Sequence, residues 1–223
     1  MVALFGWIAT ARPAPANLLA RLGARALDGC LHAGAQSADG RSALGVSAAS
    51  KAHAQGSGFA RDAAGRLVAY LGRPAFRTGR WRTRAEVAGL PAAILEAYDD
   101  VGPDLPERLA GTFALAVIDP AAERALLATD RMGVQQLAYA PVAGGLVFAS
   151  NLDVLAGHPN VGIGIAPQAI YRYAVNAVSP APETIYSGVA KLLPAHRLDW
   201  RARSPARPRA YWTPPPAGRA AGR

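Results

Sequence analysis

Short runs in which apolar residues dominate recur along most of this chain, and they read as strands. VALFGWIA opens the sequence, RLVAYLG follows the turn DAAG, and GTFALAVID, ALLATD, QLAYAPV and GLVFAS succeed one another with turn residues between them. The last two close on Gly144 and Gly145 as an antiparallel hairpin. Helical periodicity is rarer. NLLARLGARALDG repeats Leu18, Leu22 and Leu27; GLPAAILEAYDDVG sets Ile94, Leu95 and Tyr98 on one face and stops at Gly102; PQAIYRYAVN starts after Pro167, a favourable first-turn residue. Arg77 to Arg84 holds four arginines and reads as a solvated loop. Many antiparallel strands with a few helices grouped between them predict an α+β layered fold, not alternating βαβ units.

Length and composition narrow the picture. At 223 residues, 51% of them hydrophobic, the chain can bury a core and is not a disordered sequence. The single cysteine, Cys30, excludes an intrachain disulfide framework and suits a reducing compartment. The apolar start has no preceding Lys or Arg and is cut by Arg12, which makes a poor signal peptide. Met132 to Leu152 is uncharged but broken by Gln135, Gln136, Pro141, Gly144 and Gly145, so no membrane span is predicted and a cytoplasmic location is expected. The net charge of +9 is concentrated near the end, where seven arginines from Arg197 onward face a single acid, Asp199. The Pro- and Arg-rich stretch 201–223 is expected to be a tail or linker; contact with nucleic acid is the alternative, but no nucleic-acid motif accompanies the charge.

The residues that could carry chemistry are few. His32, His53, His158 and His196 show no metal-ligand spacing with carboxylates or cysteines. Cys30, in LDGCLHAG, reads as a packed small hydrophobe. Asp130 and Arg131, adjacent at the end of an apolar run, read as a corner clasp in which the arginine donates to carbonyls or acids.

Read in order, ERLAGTFALAVIDPAAERALLATDRMGVQQLAYAPVAGGLVFASNLDVLAGHP resembles the N-terminal glutaminase domain of asparagine synthetases, with its Asp-Arg-x-Gly corner and its FAS strand before a helix. The likeness continues through YRYAVNAVSPAPETIYSGVAKLLPAHRL, in which His196 matches a family position, to Tyr211 and Trp212; LHAGAQSADG matches more faintly. The resemblance implies the four-layer αββα sandwich of N-terminal nucleophile hydrolases, over residues 1–200. It also implies a set of site positions, and this sequence departs from the family at nearly all of them. The family's nucleophilic cysteine, whose own α-amine serves as base, is matched by Val2. The arginine that binds the substrate carboxylate falls at Ala48. The family's Asn-Gly-Glu turn reads Leu71-Gly72-Arg73, and the second acid that holds the ammonium falls at Arg84. The Ser-Gly-Gly-x-Asp-Ser loop of the family's ATP-using half does not occur.

These departures lead to a degenerate glutamine amidotransferase domain with no catalytic, cofactor-binding or metal-ligating residue assigned and no cofactor. Its expected role is scaffold or interface for an ATP-dependent synthetase that makes asparagine, a lactam or a macrocyclic amide. The expected partner is a separate synthetase chain of the ATP-pyrophosphatase type, or a second copy, met through the segment Tyr171 to Ile185; neither membrane nor nucleic acid is expected. The alternative enzyme reading, a hydrolase of the same fold, would draw on Thr10 or Ser47.

Overall fold

The strand β1 (Val2–Ile8) is buried along nearly its whole length because it runs through the middle of a sheet that is covered on both faces. In the computed structural model, which describes residues 2–9, 11–26, 30–50, 55–77 and 79–215, it is followed by α1 (Leu18–Arg25), β2 (Cys30–Gln36), β3 (Ala43–Ala48), β4 (Ser57–Arg61), β5 (Leu67–Gly72), β6 (Ala75–Phe76), α2 (Arg80–Ala88) and α3 (Leu90–Val101). Then come α4 (Leu105–Arg108), β7 (Leu109–Ala110), β8 (Phe113–Asp119), β9 (Arg124–Thr129), β10 (Ala138–Val142) and β11 (Gly145–Ala149). The chain continues with α5 (Leu152–Ala156), α6 (Pro167–Asn176), β12 (Ala190–Lys191), β13 (His196–Arg201) and β14 (Arg209–Ala210). One six-stranded sheet has the order β12-β10-β11-β1-β3-β2 and the other β14-β13-β9-β8-β5-β4. Every pairing within them is antiparallel.

Strand alternation divides the apolar side chains into three layers. Leu4, Ile8, Leu44 and Phe148 meet Leu67, Ala116, Ile118 and Leu127 between the sheets. On the outer face of the first sheet, Phe5 and Trp7 pack under Leu18, Leu19 and Leu22 of α1 and Val154 and Leu155 of α5. On the outer face of the second, Val68, Leu115 and Val117 pack under Ile94, Leu95 and Tyr98 of α3. The result is the four-layer αββα sandwich. Among the described residues no helix is long and apolar enough to cross a membrane.

One expectation from the sequence is corrected. The arginine-rich stretch is not a loop from Arg80 onward. It forms α2, an exposed helix bracketed by Gly79 and Gly89, in which Arg82 pairs with Glu86 one turn on (3.3 Å), while Arg80 and Arg84 reach Asp100 and Glu96 of the next helix (2.5 and 2.9 Å). Of the stretch 201–223, expected to be a tail or linker, residues up to 215 are described, and within it Arg209–Ala210 form a short return strand. β14 pairs with β13, Tyr211 N–H donates to the Ala195 carbonyl (2.9 Å), and the Tyr211 hydroxyl donates to the Thr129 carbonyl (2.7 Å). Prolines limited the number of strand residues, yet two aromatics gave this segment something to bury.

His158 follows α5 and is almost fully buried, tilted against Trp7 with ring centroids 5.2 Å apart. Its Nδ1 accepts from Asn160 N–H (3.2 Å) and its Nε2 has no partner. Burial without a counter-charge disfavours the imidazolium and pushes the pKa down to about 4 from 6.5. The unfolded chain therefore takes up this proton first as pH falls. Stability held above pH 6.5 should decline towards pH 4, by about 3 kcal/mol in all. Urea unfolding of the wild type and of His158→Phe across this range should show the variant with the shallower acid decline; parallel curves would assign the decline to other groups.

Candidate functional site

At one end of the sandwich the sheets part around a cavity of about 390 Å³. Val2 enters it at the start of β1, and Leu71, Gly72 and Arg73 reach it from the end of β5. Gln55 and Gly56 before β4, Thr112 before β8, and Gln135 from the crossing between the sheets complete the wall. Two main-chain bonds stitch the floor: Gly72 N–H to the Gly56 carbonyl and Arg73 N–H to the Thr112 carbonyl, both 2.7 Å.

Within the Leu71-Gly72-Arg73 turn the backbone singles out the middle residue. Its φ is +90°, and a Cβ there would lie 2.2 Å from the Thr112 oxygen. Backbone geometry demands glycine at that point, whatever chemistry the cavity supports. Leu71 and Arg73 face no such demand. Arg73 is exposed; among the described residues it is the only formally charged one in the lining and has no ion pair, which biases this part of the cavity towards anions.

The other positions singled out from the sequence separate clearly. Ala48 is the register partner of Val2 on one side and of Cys30 on the other. Cys30 therefore stands two strands from Val2, roughly 10 Å away at ordinary strand spacing. Its thiol is exposed and donates to the Ala48 carbonyl (3.7 Å), a partner that is not a base. Ser47 is buried, its hydroxyl is unpartnered, and it pairs with Ala3, whose side chain belongs to the helix-covered layer; it is not offered to the cavity. Arg84 does not line the cavity: it sits on α2, paired with Glu96. Thr10 and His53 lie outside the described residues. Among the described residues no three of His, Cys, Asp and Glu come together as a possible metal site.

Asp130 is the residue that closes the corner, and it does so without its neighbour. Its carboxylate is 2% exposed. One oxygen accepts from Met132 and Val134 N–H (3.0 and 3.1 Å), the other from Phe113 and Gln135 N–H (3.1 and 3.0 Å). Arg131, expected to supply the clasp's donors, makes no hydrogen bond or ion pair among the described residues. Its guanidinium lies over the Trp212 ring at 5.4 Å, and its Nε is buried and unpartnered. Gln135 was not foreseen as a site residue; the Asp130 bond to its N–H sets it in the cavity wall.

The model of the glutamine amidotransferase domain family matches residues 78–212. This chain belongs to that family. The amidotransferase domain is of the asparagine-synthetase type: it is 35% identical over 103 residues to a putative glutamine-hydrolysing asparagine synthetase of Mycobacterium tuberculosis (strain H37Rv), covering 45% of this chain and 16% of that protein. With glutamine-hydrolysing asparagine synthetase 3 of Bacillus subtilis (strain 168) it shares 27% over 106 residues, 47% of this chain and 17% of the relative. The matches thus span about one sixth of the length of these curated relatives. The fold is also that of the glutamine phosphoribosylpyrophosphate amidotransferase from B. subtilis, with a TM-score of 0.54 at 12% identity, covering 95% of this chain and 50% of the other. A second structure, described as the allosteric regulatory enzyme of purine biosynthesis, aligns with a TM-score of 0.57 at 13% identity, covering 95% and 49%.

The geometry at Gly72 has a measurable consequence. Gly188 also has a positive φ (+77°), but a Cβ there would meet nothing within 4 Å. Gly188→Ala should cost about 1–2 kcal/mol for conformation alone, and Gly72→Ala at least about 2 kcal/mol more from the collision with Thr112. Chemical denaturation of the two variants compares them directly; equal losses would refute the close approach.

Proposed function

We propose that this amidotransferase domain does not turn over glutamine, and that it serves as a scaffold and docking face for an ATP-dependent synthetase that forms an amide. The observation that carries the reading is Val2: the residue that β1 brings to the cavity has a hydrocarbon side chain, with no lone pair to attack a carboxamide. The surroundings support it. Where the resemblance implies a carboxylate to hold an α-ammonium, the cavity has the Arg73 guanidinium, which repels that group. Where it implies an asparagine donor to a developing oxyanion, there is Leu71.

The docking half of the reading rests on exposed apolar surface around α6. Ile170, Tyr171, Tyr173 and Val175 on the helix are each more than half exposed, as are Ile163, Ile165 and Val178 beside it. Only Ala169 of the helix is buried. Such a helix gains little from its own domain. Covering it would stabilise an assembly by about 25 cal/mol per Å² before the cost of association. The relatives are named asparagine synthetases, which supports a partner synthetase that makes asparagine; a lactam or macrocyclic amide is the related alternative. A cytoplasmic setting, with ATP at hand and Cys30 reduced, suits that role.

Two measurements on the full chain test the two halves. Glutamate release from glutamine should stay at the buffer blank for the wild type, and also for Val2→Cys, because Ala48, Leu71 and Arg73 are unsuited to the substrate even with a thiol in place. Turnover by the wild type would overturn the inactive reading, and turnover by Val2→Cys would show that the pocket still accepts glutamine. Size-exclusion chromatography with a synthetase chain from the same genome should show co-elution that Tyr171→Glu/Val175→Glu abolishes. A monomer that never co-elutes would overturn the docking reading.

A further inference from the structure

A second cavity, larger than the one at Val2, opens beside the β13–β14 pair. It measures about 450 Å³ and is lined by Pro103, Arg197, Asp199, Pro205, Arg207 and Arg209. The volume is that of a small-molecule site, and beside two prolines the lining consists of three arginines and one aspartate. Its character is electrostatic.

The strand register concentrates the charge. Arg209 is the cross-strand partner of Arg197, and like charges placed directly opposite on an antiparallel pair are unfavourable unless something offsets them. Arg197 is offset. Its Nη1 donates to the Pro103 carbonyl (2.7 Å) and pairs with Asp104 (2.5 Å) and Glu107 (3.4 Å). Asp199, the only carboxylate of the lining among the described residues, is already committed. Arg124 takes both of its oxygens (2.8 and 3.2 Å), and Arg201 approaches one of them (3.4 Å). Arg207 and Arg209 are left with no ion pair or hydrogen bond among the described residues, although both face the same cavity.

The segment that carries these two arginines is held at both ends. Ala202 N–H donates to the Glu123 carbonyl (3.1 Å), and Tyr211 is bonded through its N–H and its hydroxyl as described above. Pro205 and Pro208 fix φ within the span. The two unanswered guanidinium groups are therefore presented on an anchored backbone, which lowers the ordering cost of a ligand that engages both.

We propose that this cavity binds a compact polyanion through Arg207 and Arg209, the ligand being a small molecule with clustered phosphate or carboxylate groups. A guanidinium fork pairs with either group in the same two-point fashion, so the shared chemistry is a planar-donor site for oxyanions. The site is separate from the Val2 cavity, and its occupancy does not depend on whether that cavity is inactive.

Isothermal titration of the full chain at low ionic strength tests the proposal, with pyrophosphate and citrate as the probes. One saturable site is expected for at least one probe. The tighter of the two then identifies the phosphate-rich or carboxylate-rich class. Arg207→Ala/Arg209→Ala should weaken binding at least tenfold, whereas Arg207→Lys/Arg209→Lys should retain part of the affinity through its charge. Arg80→Ala/Arg82→Ala, which removes the same charge from α2, should leave binding unchanged. Without ligand the Arg207→Ala/Arg209→Ala variant should melt no lower than the wild type, since it removes the unanswered cation opposite Arg197. Failure of both probes to saturate would overturn the site, as would an equal loss of affinity in the α2 variant, which would mark the binding as diffuse attraction to a basic surface.

Discussion

The Asp130 carboxylate sits where the chain leaves the second sheet at the end of β9 and crosses to β10 in the first, and it gathers four main-chain N–H groups there. One comes from β8, the strand beside β9; the other three come from the crossing itself. The crossing cannot use the hydrogen-bond ladder of either sheet, so the carboxylate supplies acceptors for three of its N–H groups, and a fully buried donor left without one would cost about 1–3 kcal/mol. The same crossing carries Gln135 into the Val2 cavity and brings Gly133 against Pro194, so the wall of the site inherits its position from one buried anion. Ala195 N–H in turn donates to the Asp130 carbonyl (2.9 Å), which ties the chain entering β13 to the same point.

That dependence accounts for a contrast within the amidotransferase domain. Some positions around the cavity are dictated by the fold, and others are not. Gly72 is required by the approach of Thr112, and Asp130 by the sheet crossing, so both serve folding first. Val2, Leu71 and Arg73 face no comparable backbone demand, so the fold does not dictate their side chains. The exposed apolar helix α6 shows the complementary tendency, since its residues cost the isolated domain exposed hydrocarbon and stabilise it hardly at all.

Large apolar residues made much of this fold legible. VALFGWI, LVAYLG, FALAVID and GLVFA appear as strands within a residue or two of their expected ends, because each is buried on both faces. The strands CLHAGAQ and ALGVSA were not legible. They are rich in Ala, Gly and Ser, which carry little β-propensity, and are small for a reason found only in three dimensions. A Cβ on Gly34 would lie 2.9 Å from the Leu44 oxygen, and one on Gly45 would meet Leu19, Leu31 and Phe5 at 3.1–3.2 Å. Helix α2 was hidden because two of its arginines find their acids on α3, beyond the range of local charge patterning. At the site, Val2 and Leu71-Gly72-Arg73 were legible through the family resemblance and do come together, whereas Arg84 was misplaced. The arginine cavity could not be read at all, since it exists only through the pairing of Arg197 with Arg209.

The outermost strands of both sheets are short or interrupted. β12 and β14 have two residues each, the latter preceded by Pro208; β2 carries a bulge between Leu31 and Ala33; and β4 contains Gly58 and ends on Arg61. An unpaired strand edge is a template for adding another chain, and interruptions of this kind spoil the template. A sequence with so many apolar strand segments would otherwise be prone to stack edge to edge into fibrils. With its margins blunted, this sandwich presents side chains rather than open backbone to whatever adjoins it, so shape and charge decide what can pack there.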